Sequence, residues 1–106
     1  MFVAENKQTR PNTTVQFWRG ESSPLIPPSY FTAFSDNYVN TGKFLNVDSK
    51  VSADGLELTT TTYWSNEAAF NEWRNDPYVV ETYFSAITTY TTTNNIKIEV
   101  VRREEV

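Results

Sequence analysis

Apolar and polar residues alternate most regularly in the middle of the chain, over residues 44–52 and again over residues 56–64. Alternation with a period of two is typical of a β-strand that buries one face. Four consecutive threonines at 59–62 support strands here, because β-branched side chains disfavour helix. Between the two runs, residues 53–55 read Ala-Asp-Gly, which suits a tight turn. The pattern predicts a β-hairpin.

Two further strands are predicted towards the ends of the chain. Residues 13–19 alternate, with Val15 and Phe17 on one face and Trp18 on the other. Residues 96–100 alternate in the same way, with isoleucine and valine at every second position. Each run is long enough for one strand of a small sheet.

Two helical regions are predicted from apolar residues at spacings of three and four. The first covers residues 29–40, starts at a serine suited to capping, and carries one aromatic face: Tyr30, Phe31, Phe34 and Tyr38. The second starts after Ser65 as its N-cap. It is interrupted at Asn75-Asp76-Pro77, where Asp76 can cap a fresh helix that has Pro77 at its first position. This second piece is predicted to end within the threonines of residues 88–93, because their β-branched side chains oppose helix.

The predicted order is therefore strand, helix, strand, strand, helix, strand, which is the βαββαβ order of an α+β, ferredoxin-like domain. Its expected sheet is four-stranded and antiparallel, with both helices on one face. At 106 residues the chain is expected to form a single domain.

The N-terminal residues are predicted to form an arm. Residues 1–12 are mostly polar and contain a proline, so they are predicted to be an arm, although residues 2–3 could add a short edge pairing. The N-terminus has no apolar run of signal-peptide length, and no window approaches a membrane span. We therefore expect a cytoplasmic protein without a membrane partner.

One face of the predicted sheet lies away from the helices and is called the open face here. Large apolar side chains fall on it whichever face the helices cover, since Trp18 opposes Phe17, Tyr63 opposes Trp64, and Val101 opposes its neighbour. Exposed apolar patches usually mark an interface or a pocket. The sequence predicts a homodimer through this face; the alternative is a monomer with isolated surface aromatics.

Composition removes several classes of chemistry. The chain has 13 acidic and 9 basic residues, a net charge of −4, and one basic pair, Arg102-Arg103, so nucleic-acid binding is disfavoured. It has no cysteine, which excludes disulfides and thiolate nucleophiles. It has no histidine, which excludes a histidine general base, a Ser-His-Asp triad and a conventional zinc site. No metal site and no cofactor are expected.

Residues 63–78 read Tyr-Trp-Ser-Asn-Glu-Ala-Ala-Phe-Asn-Glu-Trp-Arg-Asn-Asp-Pro-Tyr. This segment resembles the strand-to-helix segment of the antibiotic-biosynthesis-monooxygenase-like proteins, which are dimeric α/β barrels. The resemblance implies a cavity between helices and sheet, with Trp73, Tyr78 and Tyr83 as candidate pocket residues. Trp73 matches a tryptophan of the haem-cleaving members, but Tyr83 stands where those members have the haem-ligating histidine. Tyr78 likewise replaces the histidine of the family's small-Pro-His step.

Three functions remain open at this point. The first is a small homodimeric α/β-barrel protein with an aromatic-lined pocket for a small aromatic ligand. The second is a cofactor-independent monooxygenase that acts on a phenolic substrate with Tyr78 or Tyr83 as proton carrier, although an ordinary tyrosine is a poor base at neutral pH. The third is a non-catalytic interaction module whose open face binds another protein. Trp73, Tyr78 and Tyr83 could equally pack the core, so the catalytic residues, if any, are unknown.

Overall fold

The computed structural model describes residues 1–10, 25–26 and 36–106 of the chain. Four strands lie within these ranges: β1 (Phe2–Thr9), β2 (Phe44–Val51), β3 (Glu57–Trp64) and β4 (Lys97–Glu105). The helices described are α1 (Asp36–Asn40), α2 (Glu67–Arg74), a π-helical segment (Val79–Phe84) and α3 (Ser85–Thr93). None of these helices is long and apolar enough to cross a membrane.

The four strands form one antiparallel sheet in the order β2-β3-β1-β4. The central strands β1 and β3 are therefore distant in sequence, and β1 also pairs with the last strand, β4. A buried cluster joins one face of this sheet to the helices. Strand order and one-sided helical cover together make this an α+β, ferredoxin-like fold, as predicted.

The first strand is not where the sequence pattern placed it. Residues 2–9 were predicted to belong to an arm, yet they form the central strand β1, and Phe2, Val3 and Ala4 are almost fully buried. The arm prediction was wrong because the second half of β1 is polar, and polarity was taken as exposure. The predicted strand at 13–19 and the start of the predicted helix at 29–35 lie outside the described residues.

The predicted hairpin is confirmed. Strands β2 and β3 pair antiparallel from Val51 opposite Leu58 to Phe44 opposite Trp64, with an irregularity after Phe44. At the turn, Gly55 adopts a φ of +73°, which suits a residue without a Cβ. The carboxylate of Asp54 accepts hydrogen bonds from the Ser52 hydroxyl and the Leu56 amide at 2.6 and 3.0 Å. These hydrogen bonds lower the pKa of Asp54 and hold the turn closed.

The capping residue of α2 is Asn66, where the sequence pattern indicated Ser65. The Asn66 side chain accepts a hydrogen bond from the Ala69 amide at 2.8 Å, and Ser65 instead donates its backbone amide to Lys43. Both residue types are good N-caps, so the two positions cannot be separated by propensity. The predicted cap at Asp76 is confirmed, because its carboxylate accepts from the Tyr78 amide at 2.9 Å.

The last strand is longer than predicted and carries a β-bulge. Its partners along β1 step from Asn6 opposite Val100 to Glu5 opposite Arg102, so Val101 has no partner in the register. The extra residue reverses the alternation of side chains beyond it. Arg103 therefore lies opposite Ala4 on the helix-covered face of the sheet.

Candidate functional site

Large aromatic rings fill one end of the space between helices and sheet, which we call the packed end. Three of them form a row across adjacent strands, Phe44 on β2, Trp64 on β3 and Phe2 on β1. Trp64 is fully buried, and its ring centroid lies 5.4 Å from that of Trp73 on α2 and 5.2 Å from that of Phe44. Rings at such distances pack with favourable edge-on or tilted geometry. The packed end anchors α2 to the sheet.

A hydrogen bond closes the packed end towards α1. The Tyr38 hydroxyl donates to the Asp76 carboxylate at 2.8 Å, which joins α1 to the start of the helical region after α2. Burial and then the Asp76 carboxylate raise the pKa of Tyr38 to about 12. The same hydrogen bond is the main cause that lowers the pKa of Asp76. The protonated Tyr38 hydroxyl and the ionised Asp76 carboxylate therefore stabilise each other.

Beside these rings lies a cavity of about 510 Å³ between the helices and the sheet, and this region is called the cavity end. Its floor comes from three adjacent strands: Ala4, Asn6 and Gln8 of β1, Thr60 and Thr62 of β3, and Ile98, Val100 and Arg103 of β4. The pairing register places Asn6 between Thr60 and Val100 in one row across the sheet. The floor is therefore continuous and mostly of small or polar side chains.

The wall opposite the floor is mainly aromatic and aliphatic. Helix α2 contributes Phe70, Trp73, Arg74 and Asn75 at its end, the π-helical segment contributes Val80, Tyr83 and Phe84, and α3 contributes Ile87 and Thr88. Ile26 completes the lining. An apolar wall over a partly polar floor is typical of pockets for small organic ligands.

The π-helical segment carries two consecutive aromatic residues of this wall. The ring centroid of Trp73 lies 5.5 Å from that of Tyr83 and 5.2 Å from that of Phe84. The wider π-turn shifts the register by one residue within the segment. Such segments often occur at functional sites.

Polar side chains on the floor are held in fixed positions. The Gln8 amide makes two hydrogen bonds with the backbone of Ile26, one donated at 2.9 Å and one accepted at 2.8 Å. The Thr62 hydroxyl accepts from the Trp64 indole at 2.9 Å and donates to the Ala4 carbonyl at 3.2 Å. These side chains are ordered by the protein itself, so the floor is preorganised.

Two arginines flank one ring of the wall. The guanidinium carbon of Arg103 lies 5.2 Å from the centroid of the Phe70 ring, and that of Arg74 lies 5.7 Å from the same centroid. Both are cation–π distances. Burial, and then the charge of Arg74, lower the pKa of Arg103. Among the described residues that line the cavity there is no aspartate and no glutamate.

The three predicted pocket residues are not all in one place. Trp73 and Tyr83 line the cavity, and their rings contact each other. Tyr78 is 64 % exposed and does not line the cavity. It lies one residue before the π-helical segment.

Several lining residues escaped the sequence analysis. Gln8 and Asn6 were placed in the arm, and Arg103 was considered only as part of the basic pair Arg102-Arg103. Residues 2–9 show no alternation of apolar and polar side chains, because three apolar residues are followed by five polar ones, so the pattern did not indicate a central strand. No local signal marks the bulge that turns Arg103 towards the helices.

The open face, which lies away from the described helices, is mostly polar, although Val3 and Thr61 on it are buried. Tyr63 lies on it, opposite in direction to Trp64 as predicted, and is half-buried beside the buried Val3. The Thr61 hydroxyl donates to the Glu5 carboxylate at 2.6 Å, and Lys7 lies 3.9 Å from Glu57. Trp18, which was also discussed as an apolar side chain of this face, lies outside the described residues.

No protein-family model and no curated protein matches the sequence. Among solved structures, the chain is similar to the structure of Rv0793 from Mycobacterium tuberculosis, with 16 % identity and a TM-score of 0.42. The match covers 100 % of this chain and 98 % of the other. The fold assignment rests on strand order and helical cover alone. The similarity carries no argument about function.

Proposed function

We propose that this chain is a binding protein for a small organic ligand, held in the cavity between its helices and its sheet. The observation that carries the proposal is a cavity of about 510 Å³ whose wall is aromatic and whose floor is ordered by hydrogen bonds. Binding sites for small molecules commonly occupy about 300–1,000 Å³ and are lined by apolar groups with a few fixed polar ones.

The composition of the floor supports binding rather than packing. The cavity opens to solvent, because Val80, Ile98 and Val100 in its lining are exposed, and exposed apolar groups of this kind usually mark a pocket or an interface. Residues of the size of Phe2 or Trp64 at Asn6 and Thr60 would fill the cavity, and the chain instead has small polar side chains there. An aromatic ligand can contact the half-buried Phe84 and Ile87 of the wall and meet these polar groups on its other side.

The test is a saturable binding assay with a neutral fluorescent probe, N-phenyl-1-naphthylamine. Thr88→Trp places a large ring at the cavity, whereas Thr92→Trp places the same ring on α3 at a position that does not line it. Both threonines are exposed, so the two variants carry a similar cost in folding. We expect Thr88→Trp to weaken probe binding by about tenfold or more and Thr92→Trp to leave it unchanged. Absence of saturable binding, or equal binding by both variants, would contradict the proposal.

We further propose that two copies pair through the open face and complete a dimeric α/β barrel. The face carries acidic and basic side chains, among them Glu5, Lys7 and Glu57, so it can be complementary to itself about a twofold axis. Tyr63 offers the aromatic contact that such interfaces favour.

Sedimentation equilibrium at micromolar concentration tests the dimer. Thr59→Arg adds charge at the centre of the open face, and Ser49→Arg adds it on the other face of the sheet, at the edge strand. We expect a dimer for the original chain and for Ser49→Arg, and a monomer for Thr59→Arg, since like charges would meet across the axis. A monomeric original chain would refute the dimer and leave the cavity proposal standing.

A further inference from the structure

We propose that the ligand of the cavity is an anion: an apolar, ring-containing body that ends in a carboxylate, phosphate or sulfonate group bound by Arg74 and Arg103. This inference rests on the proposed ligand-binding function and adds the chemical class of the ligand.

The first support is the placement of two like charges on one ring. Arg74 ends α2 and Arg103 lies on β4, so separate elements bring their guanidinium groups to the same ring, at 5.7 and 5.2 Å from the centroid of Phe70. Like charges repel, and Arg103 is also partly withdrawn from water, as its lowered pKa reflects. An anion at the cavity would relieve both costs.

The second support is that neither arginine has a carboxylate partner among the described residues, whereas several other cations do. Lys43 contacts Glu72 at 2.8 Å, Lys97 contacts Glu99 at 3.0 Å, and Arg102 pairs with Glu104. Within the described residues, Arg74 and Arg103 have no such carboxylate partner, although the chain has an excess of acidic groups. Lys50 likewise has no such partner among the described residues but does not line the cavity, whereas Arg74 and Arg103 do, so a ligand there can supply the missing negative charge.

The third support is the geometry that the ligand would meet. Arginine presents a planar fork of donors that matches a carboxylate or phosphate, and stacking on Phe70 holds that fork in place. The wall beyond Phe70 continues with Trp73 and Phe84, which suit an apolar body. A ligand with its anionic group at the arginines and its rings along this wall uses both halves of the site.

The test compares two probes that share an apolar body and differ in charge: 8-anilinonaphthalene-1-sulfonate, an anion, and N-phenyl-1-naphthylamine, which is neutral. We expect the original chain to favour the anion, and Arg103→Gln to lower the ratio of the two affinities by about tenfold, the loss of one charge-assisted hydrogen-bonding pair. Arg102→Gln is the matched control, since it removes the same charge one residue away, where the side chain does not line the cavity. It should leave the ratio unchanged.

Two further variants separate charge from packing. Arg74→Gln should lower the affinity ratio as Arg103→Gln does, and Arg103→Lys should retain more of it because the charge remains. Because Arg103 packs on Phe70, thermal unfolding of each variant checks that the fold persists. Equal affinities for both probes, with no effect of the arginine variants, would overturn the inference while the cavity proposal stands. Failure of both probes to bind would refute the proposed function itself.

Discussion

The packed end and the cavity end are built on the same two central strands, and they differ in the size of the side chains that face the helices. At the packed end the facing row is Phe44, Trp64 and Phe2. Along the same strands, positions of the same parity then become Thr62 beside Ala4 and Thr60 beside Asn6. The pairing of β1 with β3 continues without a break, so the two ends differ in the volume of their side chains.

This difference separates stabilisation from recognition within one sheet. Burial of large rings supplies most of the free energy that a small domain can gain, and the packed end concentrates it. The cavity end leaves space and fixed polar groups, which contribute less to folding and suit a ligand. Substitutions at the two ends should therefore have unequal effects on the free energy of unfolding.

The largest effect is expected at the centre of the packed end. Trp64→Ala removes a fully buried ring that contacts Phe44 and Trp73, and should lower the free energy of unfolding by about 3–5 kcal/mol. Urea denaturation followed by circular dichroism measures it. Thr60→Ala at the cavity end is the control and should cost less than about 1 kcal/mol. Equal losses in the two variants would show that the two ends do not differ in this way.

A smaller effect is expected where Tyr38 closes the packed end. Tyr38→Phe removes the hydrogen bond to the Asp76 carboxylate and should lower the free energy of unfolding by about 1–2 kcal/mol at neutral pH. Tyr63→Phe, on the open face, removes the same atom away from this contact. Its effect should stay within about 0.5 kcal/mol.

The loss of unfolding free energy caused by Tyr38→Phe should depend on pH, because both Tyr38 and Asp76 titrate. The folded pKa of Tyr38 is raised from 10.0 to about 12, so its stabilising contribution is complete below pH 10 and is lost as the pH rises towards 12. The folded pKa of Asp76 is lowered from 3.8, so its contribution is present above that pH and is lost on further acidification. Denaturation at several pH values should show the cost of Tyr38→Phe shrinking at both extremes. A cost independent of pH would exclude this coupling.

The sequence pattern located most of the fold but only part of the site. Hairpin alternation, the Gly55 turn and the cap at Asp76 are local signals, and each predicted its element. The first strand was missed because its second half is polar. Asn6 and Gln8 in this half line the cavity, so the strand lacks the apolar pattern of a central strand. The inward turn of Arg103 depends on a bulge that arises only when β4 pairs with β1.

The smallest effect on stability is expected from converting the cavity end towards the packed end. Thr60→Leu adds apolar volume to the cavity floor, where it can contact the wall without displacing a packed neighbour. We expect the free energy of unfolding to change by less than about 1 kcal/mol, while the affinity for N-phenyl-1-naphthylamine falls. A substitution that leaves stability intact but removes binding would show that the space is kept for a ligand.

Thr59→Leu is the matched control for this substitution. It changes the adjacent residue of β3, carries the same loss of β-branching, and points to the open face instead of the cavity. Both variants are compared at one protein concentration, since dimerisation would couple to unfolding. Thr59→Leu should retain probe binding. If Thr60→Leu also retained it, or destabilised the chain by several kcal/mol, then the floor at Thr60 would be part of a filled core, and the distinction between the two ends would fail.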